Sequence, residues 1–257
     1  MEADNVIIAE TEPVAPLGGE LIKRHRLVTR VWHWINAGTI LVLLMSGLMI
    51  FNAHPRHYWG EFGANSDKAW LVIPETGGVA FPAWATIPSN YSLADARLWH
   101  LAFAWVLALG LLLYLIWGLV RGHIRRKLHI RADEWKPSHI WHGMKEHAAL
   151  RFPTGAAALH YNILQKLAYC GVLFVLLPLV ILTGMTMSPS LNAGLSVLLD
   201  LFGGRQSARS LHFIAAFGLV GFFLIHLAMV ILAGPINEVR SMITGWYRIP
   251  SDTQDAA

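Results

Sequence analysis

The chain has 257 residues, of which 55% are hydrophobic and only 14% are charged, and its mean hydropathy is +0.46. Soluble domains contain about 25% charged residues, so this composition argues against a soluble enzyme and against a disordered chain. The chain has 13 His but one Cys. A single Cys excludes an internal disulfide framework, a Cys-based zinc site, an iron–sulfur cluster and the C-x-x-C-H attachment of a c-type haem. Any metal site must therefore rely on imidazole ligands.

Four apolar stretches are long enough to cross a bilayer, which takes about 20 residues. They cover residues 31–51, 98–120, 167–187 and 211–232. The sequence therefore predicts an all-α integral membrane protein, a four-helix bundle, with one four-span domain over residues 28–250. Residues 1–27 precede this domain as a polar segment, and residues 251–257 follow it as a short tail.

Lys and Arg are distributed unevenly between the two ends of these spans. Fifteen of the 20 lie before span one, between spans two and three, or after span four, and five lie in the other two loops. Cytoplasmic segments are enriched in Lys and Arg, so both termini are predicted to be cytoplasmic. We expect the lipid bilayer, and no nucleic acid, as the partner of the spans.

The first outer loop, between residues 52 and 97, is long and contains Trp59, Trp70 and Trp84. Loops of this length are typically functional or disordered, and the aromatic residues argue against disorder. Two interpretations stay open at this point: a lid over the outer ends of the helices, and a docking surface for a partner.

Four histidines lie within the predicted spans, where ionisable side chains are costly and typical of functional sites. His33 and His226 lie toward the cytoplasmic end, and His100 and His212 lie toward the outer end. Fourteen residues separate the two histidines of span four, which places them on one helix face about 21 Å apart. Two depth-matched pairs favour two stacked planar cofactors, and haem takes axial imidazoles from facing helices. The alternative is a set of core histidines that hydrogen-bond between helices.

Arg and Gly residues extend this pattern. Arg30, Arg97 and Arg209 each precede one of the histidines by three residues and so share its helix face. Such a residue can bind a haem propionate, or it can anchor the helix at the membrane surface by snorkelling. Gly47 lies fourteen residues after His33 and would leave room for a porphyrin edge, with close helix–helix contact as the alternative.

The segment RVWHWIN, from Arg30 to Asn36, and the Ser46-Gly47 pair resemble the b-type cytochrome subunits of bacterial membrane oxidoreductases. These are the dihaem cytochromes of nickel–iron hydrogenases, formate dehydrogenases and thiosulfate reductases, within the bacterial cytochrome b561 superfamily. The resemblance extends over about residues 23–250. It implies two noncovalent b haems with iron ligands from four histidines. The inner haem would be held by His33 and His226, and the outer haem by His100 and His212.

The resemblance also implies a role in electron transport. Such a subunit passes electrons between an oxidoreductase partner at the outer, periplasmic face and the quinone pool of the bacterial inner membrane. Residues 162–169 and 242–247 resemble members that serve molybdopterin-dependent partners. His25, His160 and Asn162 lie near the inner end and are candidates for a quinone site, with an ordinary interfacial role as the alternative.

Three other functions compete with this interpretation. A self-contained cytochrome b561 could oxidise a small reductant such as superoxide with the same four ligands, although the long loops favour a partnered subunit. A His-lined ion or proton transporter would usually carry carboxylates inside the membrane, and the four predicted spans contain no Asp or Glu. A purely structural anchor would use the histidines only as hydrogen-bond donors.

Overall fold

The computed structural model describes residues 19–149 and 161–249. Within these residues, four helical segments are long and apolar enough to cross a membrane. They cover Leu27–Asn52, Leu93–Val120, Ile163–Met187 and Arg205–Leu232. The predicted all-α fold with four membrane spans is therefore confirmed.

The helices are numbered in chain order. They are α1 (Leu27–Asn52), α2 (Leu93–Val120), α3 (His123–Leu128), α4 (Pro137–Ala148), α5 (Ile163–Gly171), α6 (Leu177–Met187), α7 (Pro189–Gly194), α8 (Val197–Leu201), α9 (Arg205–Leu232) and α10 (Pro235–Thr244). The spans are α1, α2, the continuous segment from α5 to α6, and α9.

A π-helical turn over Val172–Leu176 joins α5 to α6 inside the third span. Pro178 follows two residues later, as the second residue of α6. Proline has no N–H to donate and its ring clashes with the carbonyl four residues earlier, here that of Phe174. The wider turn before Pro178 accommodates this clash while the helix continues across the membrane.

Each spanning segment begins four to six residues before the boundary predicted from hydropathy. The added residues include polar caps that lie outside the apolar stretches. Ser92 accepts a hydrogen bond from the backbone N–H of Asp95 at the start of α2. Asn162 and Gln165 form a reciprocal capping box at the start of α5. Such groups satisfy the free N–H groups of a first helical turn and extend α2 and α5 into the polar region, whereas α1 and α9 begin without a side-chain cap.

The spans pack as two helix pairs, α1 with α2 and α6 with α9. A buried apolar cluster connects α2, the third span and α9. Its members are Leu107, Leu111, Leu173, Leu177, Val180, Ala215 and Leu219. On α2 and α9 the members of this cluster follow His100 and His212 by three to eleven residues, toward the C-terminal ends of these helices. Apolar packing therefore fills the level below the outer histidines.

Two short antiparallel strands join the two ends of the described chain. Strand β1 (Leu21–Lys23) pairs with β4 (Trp246–Arg248), and Arg24 donates to the Glu238 carboxylate at 3.2 Å. Both ends therefore lie on the same side of the bundle, as four spans require. Part of the polar segment 1–27 is thus paired with the end of the four-span domain.

The first outer loop is ordered and lies against the start of α9. It contains strands β2 (Arg56–His57) and β3 (Leu71–Val72), which pair with each other. The Gly60 carbonyl accepts from the backbone N–H groups of Gln206 and Ser207. At Gly204, a Cβ atom would lie 2.7 Å from the Gly60 backbone, so only glycine permits this approach. The loop therefore covers the outer helix ends, as the lid interpretation predicts.

Candidate cofactor site

The four histidines of the spans meet in the two pairs that helix depth predicts. The ring centres of His33 and His226 are 6.3 Å apart, and their planes are inclined by 59°. Those of His100 and His212 are 6.2 Å apart, with an inclination of 58°. The two pairs thus have nearly the same geometry at two levels of one bundle.

These separations suit one metal ion between the two rings of a pair. A metal ion bonded to imidazole lies about 2 Å from the nitrogen. Each ring centre lies roughly 1 Å beyond that nitrogen, so two rings on opposite sides of one ion have centres about 6 Å apart. Direct hydrogen bonding between the rings would not require the same spacing twice.

The donor set further restricts the kind of metal group. Within residues 19–149 and 161–249, no cluster of three or more His, Cys, Asp or Glu side chains is placed to hold a metal ion. A structural zinc site would need four protein ligands. A haem needs only two axial ligands, because the porphyrin supplies the other four nitrogens. The two pairs therefore fit haem iron better than a bare ion.

Hydroxyl groups orient both outer histidines. Ser46 Oγ lies 3.1 Å from Nδ1 of His100 and donates its own proton to the Val42 carbonyl at 2.7 Å. Thr183 Oγ1 likewise lies 3.1 Å from Nδ1 of His212. A hydroxyl that donates to a carbonyl accepts from its other neighbour, which places the imidazole proton on Nδ1. The Nε2 atoms then carry the free lone pair that a metal needs.

A glycine follows each of these hydroxyl residues. A Cβ atom at Gly47 would lie 3.4 Å from Cε1 of His100, and one at Gly184 would lie 3.3 Å from Cε1 of His212. Both positions therefore allow an imidazole to lie directly against the neighbouring helix. Gly47 contacts a histidine in this way, and its expected contact with a porphyrin stays a prediction. The α1–α2 pair and the α6–α9 pair thus repeat one arrangement.

The inner pair has different surroundings. Nδ1 of His33 is buried and has no hydrogen-bond partner among the described residues. The Trp34 ring packs edge-on against His33 with centres 5.1 Å apart. The Phe222 ring stacks on His226 at 5.7 Å and 11°. Aromatic packing, and not hydroxyl bonding, therefore positions the inner imidazoles.

The three arginines differ in their contacts. The Arg209 guanidinium donates to the carbonyls of His54 and Arg56 in the outer loop. That of Arg30 donates to the Ile243 carbonyl, and its Nε is buried without a partner in the described chain. Arg97 is exposed. Propionate binding by these residues stays a prediction.

The candidate quinone residues separate in the structure. Asn162 accepts from the Gln165 backbone through its side-chain oxygen at 2.9 Å, which gives it a structural role as a helix cap. His25 lies just before α1, where burial and the nearby cations Arg24 and Lys127 lower its pKa to about 4. It is therefore neutral near pH 7. His160 lies outside the described residues.

Comparison with known proteins agrees with this geometry. The family model described as prokaryotic cytochrome b561 matches residues 24–245. A relative from Azospira oryzae, named as the protein-methionine-sulfoxide reductase subunit YedZ1, is 30% identical over 83% of this chain and 92% of its own. One from Azotobacter vinelandii, named as a Ni/Fe-hydrogenase B-type cytochrome subunit, is 25% identical over 88% of each chain. A cytochrome of Escherichia coli, YdhU, is 27% identical over 90% of this chain and 76% of its own.

Proposed function

Because the chain belongs to the prokaryotic cytochrome b561 family, which gives it an electron-transfer role in a bacterial membrane, we propose that it carries electrons through two b haems. His33 and His226 would hold the inner haem, and His100 and His212 the outer one. The observation that carries this proposal is the spacing of the two pairs, 6.3 and 6.2 Å between ring centres.

The histidine pairs and their neighbours determine the chemistry that this site would support. A haem held by both imidazoles of a pair would supply single-electron transfer and would not bind oxygen. Ser46 and Thr183 hold the outer rings with Nε2 available, so little rearrangement is needed on binding. The two levels lie about 21 Å apart along α9 by helix rise, which spans most of the bilayer core.

We assign the electron partner at the outer face to an oxidoreductase subunit. One side of the outer loop packs against the start of α9. Phe62 and Trp84 of the same loop are each 82% exposed. Exposed aromatic residues are enriched where proteins bind one another. The relatives named above as subunits of a hydrogenase and of a methionine-sulfoxide reductase have partners of this class, which supports the proposal.

We assign the quinone to the inner end of the bundle, in the inner membrane of a bacterium with the termini in the cytoplasm. An apolar groove of about 600 Å³ opens between α1 and α10, next to His33 in sequence. Its lining residues are Leu27, Arg30, Val31, Trp34, Ile35, Met242 and Ile243. An apolar groove with one cation suits an isoprenoid quinone. His25 is a candidate for the exchange of protons.

The decisive experiment is a reduced-minus-oxidised visible spectrum of the purified protein, together with haem and protein quantification. We expect b-type Soret and α bands and two haems per chain. A folded preparation without haem would refute the proposal. For the quinone, Ile35→Trp should obstruct the groove and slow haem reoxidation by a soluble quinone. His129→Gln, at an exposed cytoplasmic position, serves as the control.

A further inference from the structure

Three buried polar groups without hydrogen-bond partners lie within a short segment of the outer loop. Tyr58 is only 2% exposed, and its hydroxyl has no hydrogen-bond partner among the described residues. The same is true of Nε2 of His54 and Nε2 of His57. A buried polar group without a partner costs about 1–3 kcal/mol, so three of them in five consecutive residues call for an explanation.

A cation lies next to these groups. The Arg209 guanidinium donates to two backbone carbonyls of the loop, but no acidic side chain pairs with it in the part of the chain that the structure describes. Through its bond to the His54 carbonyl, it lies against the loop segment that carries both His54 and Tyr58. The rings of His54 and Tyr58 stack with centres 5.7 Å apart. A partly buried cation beside the unpaired Tyr58 hydroxyl, and beside an imidazole that can donate from Nε2 of His54, favours an anion.

Hydrogen bonds and packing within the protein hold Tyr58 in place without a ligand. Ser210 donates to the Tyr58 carbonyl at 2.7 Å, and Trp70 donates to Ser210 at 2.9 Å. At Gly63 a Cβ atom would lie 2.4 Å from the Tyr58 ring, so the glycine makes room for that ring. The Tyr58 hydroxyl is therefore positioned by its neighbours and is not needed for any bond in the loop itself.

The location connects these groups to the outer histidine pair. Arg209 precedes His212 by three residues on α9, one turn closer to the outer surface. The ring of His57, next to Tyr58, packs against that of Phe213, which follows His212 directly, with centres 4.4 Å apart. These residues therefore lie beside the outer histidine pair, at the outer end of α9.

We propose that Tyr58, His54 and Arg209 form a carboxylate pocket beneath the outer loop, and that a propionate of the outer haem occupies it. This rests on the proposed function. The loop then does more than cover the helix ends, because haem binding supplies the partner that its buried donors lack. Order in the loop and occupancy of the outer site are coupled.

The variant Tyr58→Phe tests this proposal through two measurements: the thermal stability of haem-free protein and the rate at which loaded protein loses the outer haem. In haem-free protein it removes a hydroxyl without a partner, so thermal stability should be unchanged or higher. In haem-loaded protein the same change should speed loss of the outer haem by roughly tenfold, because a hydrogen bond to a charged group is lost. A merely structural hydroxyl would shift both measurements in the same direction. Tyr91→Phe, at an exposed position of the same loop, is the matched control.

A second arm identifies the source of the carboxylate. The protein is reconstituted with haem b or with its dimethyl ester, in which both propionates are blocked. Tyr58→Phe should speed the dissociation of haem b but leave the dissociation of the dimethyl ester unchanged. Comparing the two proteins with the two haems isolates the contact between Tyr58 and a propionate. An equal effect of Tyr58→Phe on both haems, or no effect on either, overturns the proposal and points to a free anion or to a structural role. Wild-type protein that binds fewer than two haems would instead refute the proposed function.

Discussion

The hydroxyl oxygen of Ser46 lies 3.1 Å from Nδ1 of His100 on the neighbouring helix. Thr183 makes the same contact with His212 at the same distance. Both hydroxyls also donate to a carbonyl four residues earlier in their own helix. The backbone of each helix therefore orients a hydroxyl, and the hydroxyl orients a histidine of the adjacent helix. The two outer ligands are prepared in the same way by two separate helix pairs.

Replacing this hydroxyl should change the outer haem without removing it. Thr183→Val deletes the hydroxyl acceptor of the His212 Nδ1 proton, leaves the Val180 carbonyl as the other acceptor, and keeps a side chain of similar shape. A partner of this kind raises the basicity of a ligating imidazole, so its loss should raise the midpoint potential of the outer haem by tens of millivolts. It should also weaken haem retention by about tenfold or more. A redox titration followed in the α band measures the first effect.

The control for this change is Thr183→Ser, which keeps the hydroxyl. Its potential should remain close to that of the wild type. A potential for Thr183→Val that matches Thr183→Ser would contradict the assigned role of the hydroxyl.

Removing single ligands should separate the two haems. His212→Ala should lose the outer haem and retain the inner one, whereas His226→Ala should do the reverse. Each variant should bind one haem per chain, measured as pyridine haemochromogen against protein. The cause is the pairing seen in the structure, in which no ligand is shared between levels. Loss of both haems from a stably folded variant would argue against two independent sites.

The histidine pairs could be predicted from the sequence because they depend on helix geometry alone. The rise and the phase of a helix are fixed, so the spacing of His212 and His226 determines depth and face without knowledge of the packing. The role of Thr183 could not be predicted in this way. Its contact with His212 depends on how α6 lies against α9, which hydropathy does not specify. The dipeptides Ser46-Gly47 and Thr183-Gly184 were the available signal, since the same pattern recurs at the outer end of two spans.

Asn162 shows a different limit of predicting functional residues from the sequence. Its place near the inner end made it a candidate for the quinone site, but its side chain caps α5. The spacing of Asn162 and Gln165 is that of a capping box, so the local signal was present in the sequence. A polar residue at a membrane boundary serves the free N–H groups of a helix as readily as it serves a ligand. Local hydrogen bonding must therefore be considered before a functional role is assigned.

Gly47 and Gly38 provide a matched test of close packing on one helix. A Cβ atom at Gly47 would come within 3.4 Å of the His100 ring, whereas one at Gly38 would meet nothing within 4 Å. Gly47→Leu should therefore displace the His100 imidazole and abolish outer haem binding, at a cost of about 1–3 kcal/mol from overpacking. Gly38→Leu should bind two haems. Spectra of both variants, with haem quantification, measure the difference, and equal haem content would show that space at Gly47 is not required.

The pH dependence of stability should carry a contribution from His25. Its pKa is about 4 in the folded protein, lowered by burial and then by Arg24 and Lys127, and about 6.5 in an unfolded chain. Between these values the unfolded chain binds more protons, so the free energy of unfolding falls as the pH decreases from about 6.5 to 4. Above about pH 6.5 His25 makes its full contribution to the free energy of unfolding, and below about pH 4 this contribution decreases no further. Thermal unfolding in detergent at pH 7.5 and pH 5 should show a smaller decrease for His25→Gln than for the wild type. The same decrease in both proteins would mean that His25 is not the group that titrates, since its lowered pKa is the only source of the expected difference.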